Sequence, residues 1–197
     1  YRLAEGVPVD EELRAAIRRA DAIVCSVPPE EAGDPALRLL ADALHDSPAL
    51  RWVGYLSSTA VYADRDGGWV DEQSSADADN DTALRRLRAE QQWRAFAQVR
   101  GIASAGFRLP ALYGRGGNAL GELGHGKARH VVRPGLVFNR LHVEDLAAAV
   151  LAAMRRPQGH ALYLPADGAP APPPDVMAHA ALLGGLPLPA PHAWGGP

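Results

Sequence analysis

The sequence predicts an α/β protein built on a doubly wound parallel β-sheet with helices on both faces. Helical and strand patterns alternate through the first half of the chain, which is typical of parallel sheets. The run Ala22–Val27 is short, apolar and β-branched, and this indicates a strand buried on both faces. A second apolar run, Trp52–Leu56, stops in the hydroxyl cluster Ser57–Thr59. Hydroxyls at the carboxyl end of a buried strand lie where open α/β sheets bind their ligands.

Composition narrows the class of protein. The 197 residues are 47% hydrophobic and 22% charged, which is ordinary for a globular protein. The net charge of -3 gives no indication of a nucleic-acid or membrane partner, and no apolar run reaches the length of a membrane helix. The single cysteine, Cys25, excludes an internal disulfide framework and a cysteine-based metal cluster. It favours a reducing compartment, and we expect a cytoplasmic protein.

The first elements follow from local signals. Tyr1–Leu3 is compatible with the end of a strand, and Val9–Ala20 has the apolar spacing of a helix. Its first turn is acidic and its last turn is basic, as the helix dipole favours. After Ala22–Val27, Asp34 is placed to cap a second helix that has Pro35 at its first position and ends before Ser47.

The central strand leads into an acid-rich stretch, 63–81, which predicts a surface loop. A long charged helix follows over Thr82–Val99, in which Glu90 and Arg94 have the spacing of an ion pair. Ile102–Leu109 is the next strand, ended by a proline. The remaining predicted elements are a glycine-rich loop with a short helix over Tyr113–Gly126, strands at Arg129–Val132, Leu136–Phe138 and His160–Leu164, and helices at Val143–Met154 and Asp175–Leu183. The ending GGLPLPAPHAWGGP predicts a loose segment.

Three segments carry a resemblance to a known family. They are LSSTAVY at 56–62, RLPALYGRGGN at 108–118 and FNRLHVEDLAAAVLAAM at 138–154. In this order and spacing they resemble the extended and atypical short-chain dehydrogenase/reductases, the NAD-dependent epimerase/dehydratase family. WVGYLSSTAVY, GGWVDE and LRRLRAEQQW are most similar to its bacterial YeeZ-like subgroup. The resemblance covers nearly the whole chain, from about Asp21 to Leu186.

This resemblance implies a Rossmann-like sheet with NAD or NADP as cofactor. Residues 1–112 would form a partial cofactor-binding domain, and 113–197 a small C-terminal substrate lobe from which 143–154 and 160–164 return to the sheet. The family's glycine-rich turn, which holds the cofactor pyrophosphate, does not occur at the start of this sequence. We therefore expect an N-terminally incomplete chain that lacks its first βαβα portion. The strand Ala22–Val27 would then be an exposed edge, through which homo-oligomers could pair.

The family's catalytic group is a serine or threonine, a tyrosine, and a lysine four residues after the tyrosine. The tyrosine transfers a proton, and the lysine lowers the tyrosine pKa. Ser58 matches the serine, whereas Thr82 and Arg86 occupy the tyrosine and lysine positions. Arg86 retains the positive charge, but a threonine hydroxyl is far less acidic than a phenol. The simpler alternatives are that Ser58 caps the strand end and that Thr82 is a helix N-cap.

The resemblance also implies a set of cofactor contacts. The residues are Ser26, Val27, Pro28, Ser57, Arg86, Leu109 and Pro110. The first three follow the strand that ends at the family's cofactor cleft, and they also fit an ordinary strand-to-helix turn. Leu109 stands where the family usually has proline. No metal site is expected, because no carboxylate lies at a recognised spacing from the histidines.

Two functions remain open. One is an NAD(P)-binding oxidoreductase or epimerase-like protein that acts on a small carbonyl or hydroxyl compound. The other is a catalytically inactive NAD(P)-binding sensor or scaffold, favoured by Thr82 and Arg86. A nucleotide-sugar substrate is disfavoured, because Phe138 occupies the position of the family's diphosphate-binding arginine, four residues before His142.

Overall fold

The structure is a computed structural model that describes Gly6 and residues 9–193, so the predicted strand at Tyr1–Leu3 lies outside the described residues. The chain divides into two compact units. The first comprises Tyr1–Ala63, Val70–Leu109 and Ala148–Leu164, and the second comprises Asp64–Trp69, Pro110–Ala147 and Pro165–Pro197.

The first unit contains a four-stranded parallel sheet. Its strands, in spatial order, are β1 (Ala22–Cys25), β2 (Trp52–Ser58), β3 (Ala103–Leu109) and β7 (His160–Tyr163). All three neighbouring pairs are parallel, which confirms the predicted α/β class. Because parallel strands point the same way, the carboxyl ends of β1, β2 and β3 lie together at one end of the sheet.

Four helices that lie wholly within the first unit pack on one face of this sheet. They are α1 (Glu11–Arg19), α2 (Pro35–Leu39), α3 (Ala41–His45) and α4 (Asp81–Arg100). Asp34 caps α2 as predicted, since its side chain accepts a hydrogen bond from the Leu37 amide at 2.9 Å. The helix predicted from Pro35 is interrupted at Leu40, whose φ of -115° and ψ of 12° break the helical ladder.

The core of this unit lies between the strands and these helices. Tyr55 and Trp93 are each only 2% exposed and belong to one buried cluster with Cys25. On the other face of β1, Val24 is 40% exposed, so the prediction of a strand buried on both faces is wrong there. The ring of Trp52 covers Gly54, where a Cβ atom would lie 2.4 Å from the indole.

The second unit is built from shorter elements. Its strands are β4 (Ala111–Tyr113), β5 (His130–Val132), β6 (Arg140–His142) and β8 (Pro191–Ala193), and its helices are α5 (Ala119–Gly124) and α7 (Pro173–Gly184). Strand β4 pairs with β6, and β5 pairs with β8. Helix α6 (Val143–Arg155) begins in this unit and ends in the first.

Two predictions for the tail are wrong. Leu136–Phe138 is not a strand: a turn occupies Pro134 and Gly135, and Phe138 makes only an isolated bridge with Ala171. The end of the chain is not loose throughout, because Pro191–Ala193 pairs with β5 through the backbone. Among residues 9–193, no helix has both the length and the apolar character needed to cross a membrane.

Candidate functional site

The hydroxyl cluster lies at the carboxyl end of β2, as predicted. Strand β2 runs through Ser58, and a short 3-10 helix follows over Thr59–Tyr62. Ser58 caps this helix: its backbone is extended, and its Oγ accepts a hydrogen bond from the Ala60 amide at 3.2 Å. An accepting hydroxyl keeps its own hydrogen, so Ser58 can still donate to a ligand.

The neighbouring hydroxyl serves a different partner. Ser57 is only 4% exposed and donates a hydrogen bond to Glu90 Oε1 on α4. Successive strand residues point to opposite faces, so Ser57 faces α4 while Ser58 faces away from it. Because of this alternation, Ser57 makes a structural contact with Glu90, whereas Ser58 is available to donate to a ligand.

Glu90 also forms a buried ion pair with Arg108 of β3. Arg108 Nη2 lies 2.9 Å from Glu90 Oε2, and its Nε lies 3.2 and 3.3 Å from the two carboxylate oxygens. The two side chains are 7% and 11% exposed, for Arg108 and Glu90 respectively. Burial alone lowers the Arg108 pKa, but contacts with Glu90 and Tyr62 outweigh it and raise that pKa. The predicted Glu90–Arg94 pair is thus replaced by a contact between α4 and β3.

The sequence reasoning missed this pair, although a signal was present. Arg108 stands among apolar and small residues in the predicted strand Ile102–Leu109, and a charge buried in such a strand requires a partner. Its guanidinium also stacks over the Tyr62 ring, 4.8 Å from the centroid. Tyr62 in turn donates a hydrogen bond from its hydroxyl to the Asp71 carbonyl at 2.8 Å. These contacts join β3, α4 and the loop before α4 at the end of β2.

Arg86 lies beside the same strand end. Its Nη1 donates to the Leu56 carbonyl at 3.0 Å, two residues before Ser58. A guanidinium has five N–H donors, so further bonds to a ligand are available. Thr82 is exposed in the first turn of α4, and it is not the N-cap. That role belongs to Asn80, whose extended backbone lets its side chain accept from the Ala83 amide at 3.0 Å.

The other predicted contacts lie at the ends of β1 and β3. Ser26, Val27 and Pro28 follow β1 directly, and Ser26 and Pro28 are exposed. Leu109 is the last residue of β3 and is 8% exposed. Pro110, the next residue, belongs to the second unit. Ser26, Ser58 and Leu109 therefore lie at the carboxyl end of the sheet. The hydrogen bond to Leu56 places Arg86 at the same end.

Cys25 is inert at neutral pH. Burial, together with the charge of Asp34, raises the pKa of its thiol to about 12. Its Sγ lies 3.8 Å from Asp34 Oδ2, inside the core. A neutral thiol is a poor nucleophile and a poor metal ligand. Among residues 9–193, no group of three or more His, Cys, Asp or Glu side chains is arranged to hold a metal ion.

Comparisons with known proteins establish the fold. No family model and no curated protein matches the chain. A functionally unknown conserved protein from Silicibacter pomeroyi is 43% identical, with a TM-score of 0.81 over 89% of this chain and 61% of its own. The present chain therefore spans less than two thirds of the length of that structure.

Two similar structures of known enzymes are more distant in sequence. UDP-N-acetylglucosamine 4-epimerase from Bacillus cereus is 16% identical, with a TM-score of 0.75 over 94% of this chain and 69% of its own. The dTDP-glucose 4,6-dehydratase from Bacillus anthracis, in complex with NAD, is also 16% identical, with a TM-score of 0.76 over 95% and 65%. At this identity the similarity is one of fold. The chain has the Rossmann-like fold seen in epimerases and dehydratases of this kind.

Proposed function

We propose that the chain is part of an NAD(P)-binding protein of the short-chain dehydrogenase/reductase superfamily, an oxidoreductase or epimerase-like member that acts on a small carbonyl or hydroxyl compound. We also propose that it belongs to the atypical, YeeZ-like group. The complete protein would then continue upstream of Tyr1 and carry the glycine-rich turn there. The observation that carries the proposal is the presence of Ser58 and Arg86 at one end of the central strand.

The residues at this edge have the chemistry that a nicotinamide riboside requires. Ser58 offers a hydroxyl donor, and Arg86 offers charged N–H donors suited to ribose hydroxyls. Ser26–Pro28 and Leu109 would lie at the same end of the sheet as Ser58. When bound, the cofactor would supply hydride transfer. The dTDP-glucose 4,6-dehydratase structure, which contains NAD, supports a nicotinamide cofactor for this fold.

The roles proposed for the side chains follow from their positions. Ser58 would orient the substrate oxygen by donating its hydroxyl hydrogen, which the contact with the Ala60 amide leaves free. Arg86 would hold the ribose and place a positive charge beside that oxygen. Thr82 lies at the tyrosine position, but its hydroxyl does not ionise in the range where a phenol does, so proton transfer would be slow.

The substitution at Thr82 also favours a second candidate, a catalytically inactive NAD(P)-binding sensor or scaffold. In that case Ser58 and Arg86 would serve cofactor binding alone. The two candidates share the cofactor and differ in turnover, so one set of variants separates them.

The test measures NADH and NADPH oxidation by the protein expressed from its whole reading frame, with a panel of small aldehydes and ketones. Turnover that is lost in Ser58→Ala and increased in Thr82→Tyr/Arg86→Lys supports the enzyme. The inactive protein is supported if the parent binds cofactor without turnover and turnover appears only in the double variant. Absence of cofactor binding in every variant would refute both candidates.

A further inference from the structure

We propose that the buried Glu90–Arg108 pair positions Arg86 and the end of β2 for cofactor binding, so that Glu90 and Arg108 are positioning residues. The proposal rests on the function proposed above, in which Arg86 holds the cofactor ribose. All three side chains and β2 belong to the first unit. Neither Glu90 nor Arg108 needs to touch the cofactor, because their effect on its affinity is transmitted through Arg86.

Helix α4 contacts the end of β2 through two side chains that lie one turn apart. Arg86 Nη1 donates to the Leu56 carbonyl at 3.0 Å, and Glu90 Oε1 accepts from the Ser57 hydroxyl. Residues four apart lie on the same face of a helix, about 6 Å apart along its axis. The two contacts therefore engage consecutive residues of β2, and a shift of α4 at Glu90 would also move Arg86.

The ion pair restrains Glu90 more strongly than the serine contact alone. Arg108 meets the carboxylate through both Nε and Nη2, at nitrogen–oxygen distances of 2.9–3.3 Å. A fork of this kind restricts both the distance and the angle between its partners. Because Arg108 belongs to β3, which pairs with β2 residue by residue, the ion pair holds α4 in a fixed position on the sheet.

The same pair also holds the segment that follows Ser58. The Arg108 guanidinium stacks over the ring of Tyr62, the last residue of the short helix that Ser58 caps. Ser57 and Tyr62 flank Ser58 in sequence, and each contacts one partner of the pair. Loss of the pair would therefore release the chain on both sides of Ser58.

Stability alone does not require charges at this place. Removing two charges from water is costly, and well-packed apolar side chains often stabilise a core as well as a buried ion pair does. The fork between Arg108 and Glu90 adds a fixed direction, which apolar contacts lack. A role in positioning accounts for that geometry.

The test is a double-variant cycle on NADH and NADPH affinity, measured with the protein expressed from its whole reading frame. Glu90→Gln should weaken cofactor binding about as much as Arg86→Met does, by about tenfold. Because Glu90 acts through Arg86, the variant with both changes should bind no more weakly than Arg86→Met alone. Independent effects would multiply to about a hundredfold, and that result would overturn the proposal.

The control is Arg100→Met, at the other end of α4. Arg100 donates to the His45 and Ser47 carbonyls at 2.6 and 2.7 Å, and it lies about 21 Å along the helix from Arg86. This variant also loses contacts that hold α4, yet its cofactor affinity should equal that of the parent. All variants are compared at a temperature where circular dichroism shows them to be folded. Equal weakening in Arg100→Met and Glu90→Gln would make the ion pair a structural contact only and overturn the proposal.

A variant that keeps both charges covers the case in which Glu90→Gln does not fold. Arg108→Lys retains the positive charge but lacks the fork. It should weaken cofactor binding about fivefold, and it should cause no further loss in the Arg86→Met background. A loss of the same size in both backgrounds would contradict the proposal.

Crystal structures without cofactor separate this proposal from the proposed function. The parent is compared with Glu90→Gln, or with Arg108→Lys if the former does not fold. The proposal predicts that Arg86 Nη1 leaves hydrogen-bond distance of the Leu56 carbonyl in the variant, and an unchanged contact would overturn it. If the parent binds neither cofactor, the proposed function fails, while this comparison still decides whether the ion pair positions Arg86.

Discussion

Replacing Glu90 by glutamine tests the buried network beside the central strand. The change removes the charge opposite Arg108 while keeping the size of the side chain. Arg108 makes three nitrogen–oxygen contacts of 3.3 Å or less to the Glu90 carboxylate, and both side chains are at most 11% exposed. Removing one partner of a buried pair costs about 3–5 kcal/mol, because the other charge stays buried. One amide oxygen remains as an acceptor, so we expect about 3 kcal/mol.

The assay is urea unfolding, followed by tryptophan fluorescence and circular dichroism. The matched control is Glu11→Gln, which removes an ion pair of similar length, 3.0 Å to Arg18, with side chains 38% and 75% exposed. A surface pair of this kind contributes at most about 1 kcal/mol. If Glu90→Gln and Glu11→Gln lose the same free energy of unfolding, the buried pair does not stabilise the protein as described. The double variant Glu90→Gln/Arg108→Gln should recover part of the loss, because it no longer buries an uncompensated charge.

Three further predictions concern stability and the strand end. Gly54→Ala should destabilise the protein by about 1–3 kcal/mol, because the new Cβ would meet the Trp52 ring; unchanged urea unfolding would contradict this. The Cys25 pKa is raised from 9.0 to about 12 by burial and by the charge of Asp34, so its contribution to stability is fully present below pH 9 and is lost as the pH rises toward 12. Cys25→Ala should therefore flatten the alkaline decrease of the free energy of unfolding, and parallel curves would refute the assignment. Ser58→Ala should leave the unfolding free energy within about 1 kcal/mol of the parent, because it removes only one exposed capping bond; a larger loss, measured by the same denaturation, would make that serine a structural residue.

The sheet could be predicted from the sequence because its signals are local. Ala22–Val27 and Trp52–Leu56 are apolar runs separated by helical patterns, and a chain of this kind has few arrangements other than a parallel sheet. The cap at Asp34 was readable for the same reason, since it depends on the next three residues. The alternation of strand side chains also predicts that Ser57 and Ser58 lie on opposite faces of the sheet. Which face packs against α4 depends on the tertiary structure.

The errors concern pairings between distant residues. Glu90 has Arg94 at helical spacing and Arg108 18 residues away in sequence. In the structure it pairs with Arg108. Pro191–Ala193 forms a strand only because β5 offers a backbone to pair with, and nothing in a proline- and alanine-rich segment indicates this. Val24 was expected to be covered, but burial depends on what packs against a strand as well as on its own residues.

Direct titration of nicotinamide cofactor tests the central claim most directly, that the end of β2 is a cofactor site. NADH and NADPH are titrated into the protein expressed from its whole reading frame, with Arg86→Met and, as a control from the same helix, Arg88→Met. The account predicts that one of the two cofactors binds and that Arg86→Met weakens it about tenfold, as expected for loss of a charged hydrogen bond. Arg88→Met should bind as the parent does. Absence of binding by both cofactors, or equal affinity in Arg86→Met and the parent protein, would contradict the account.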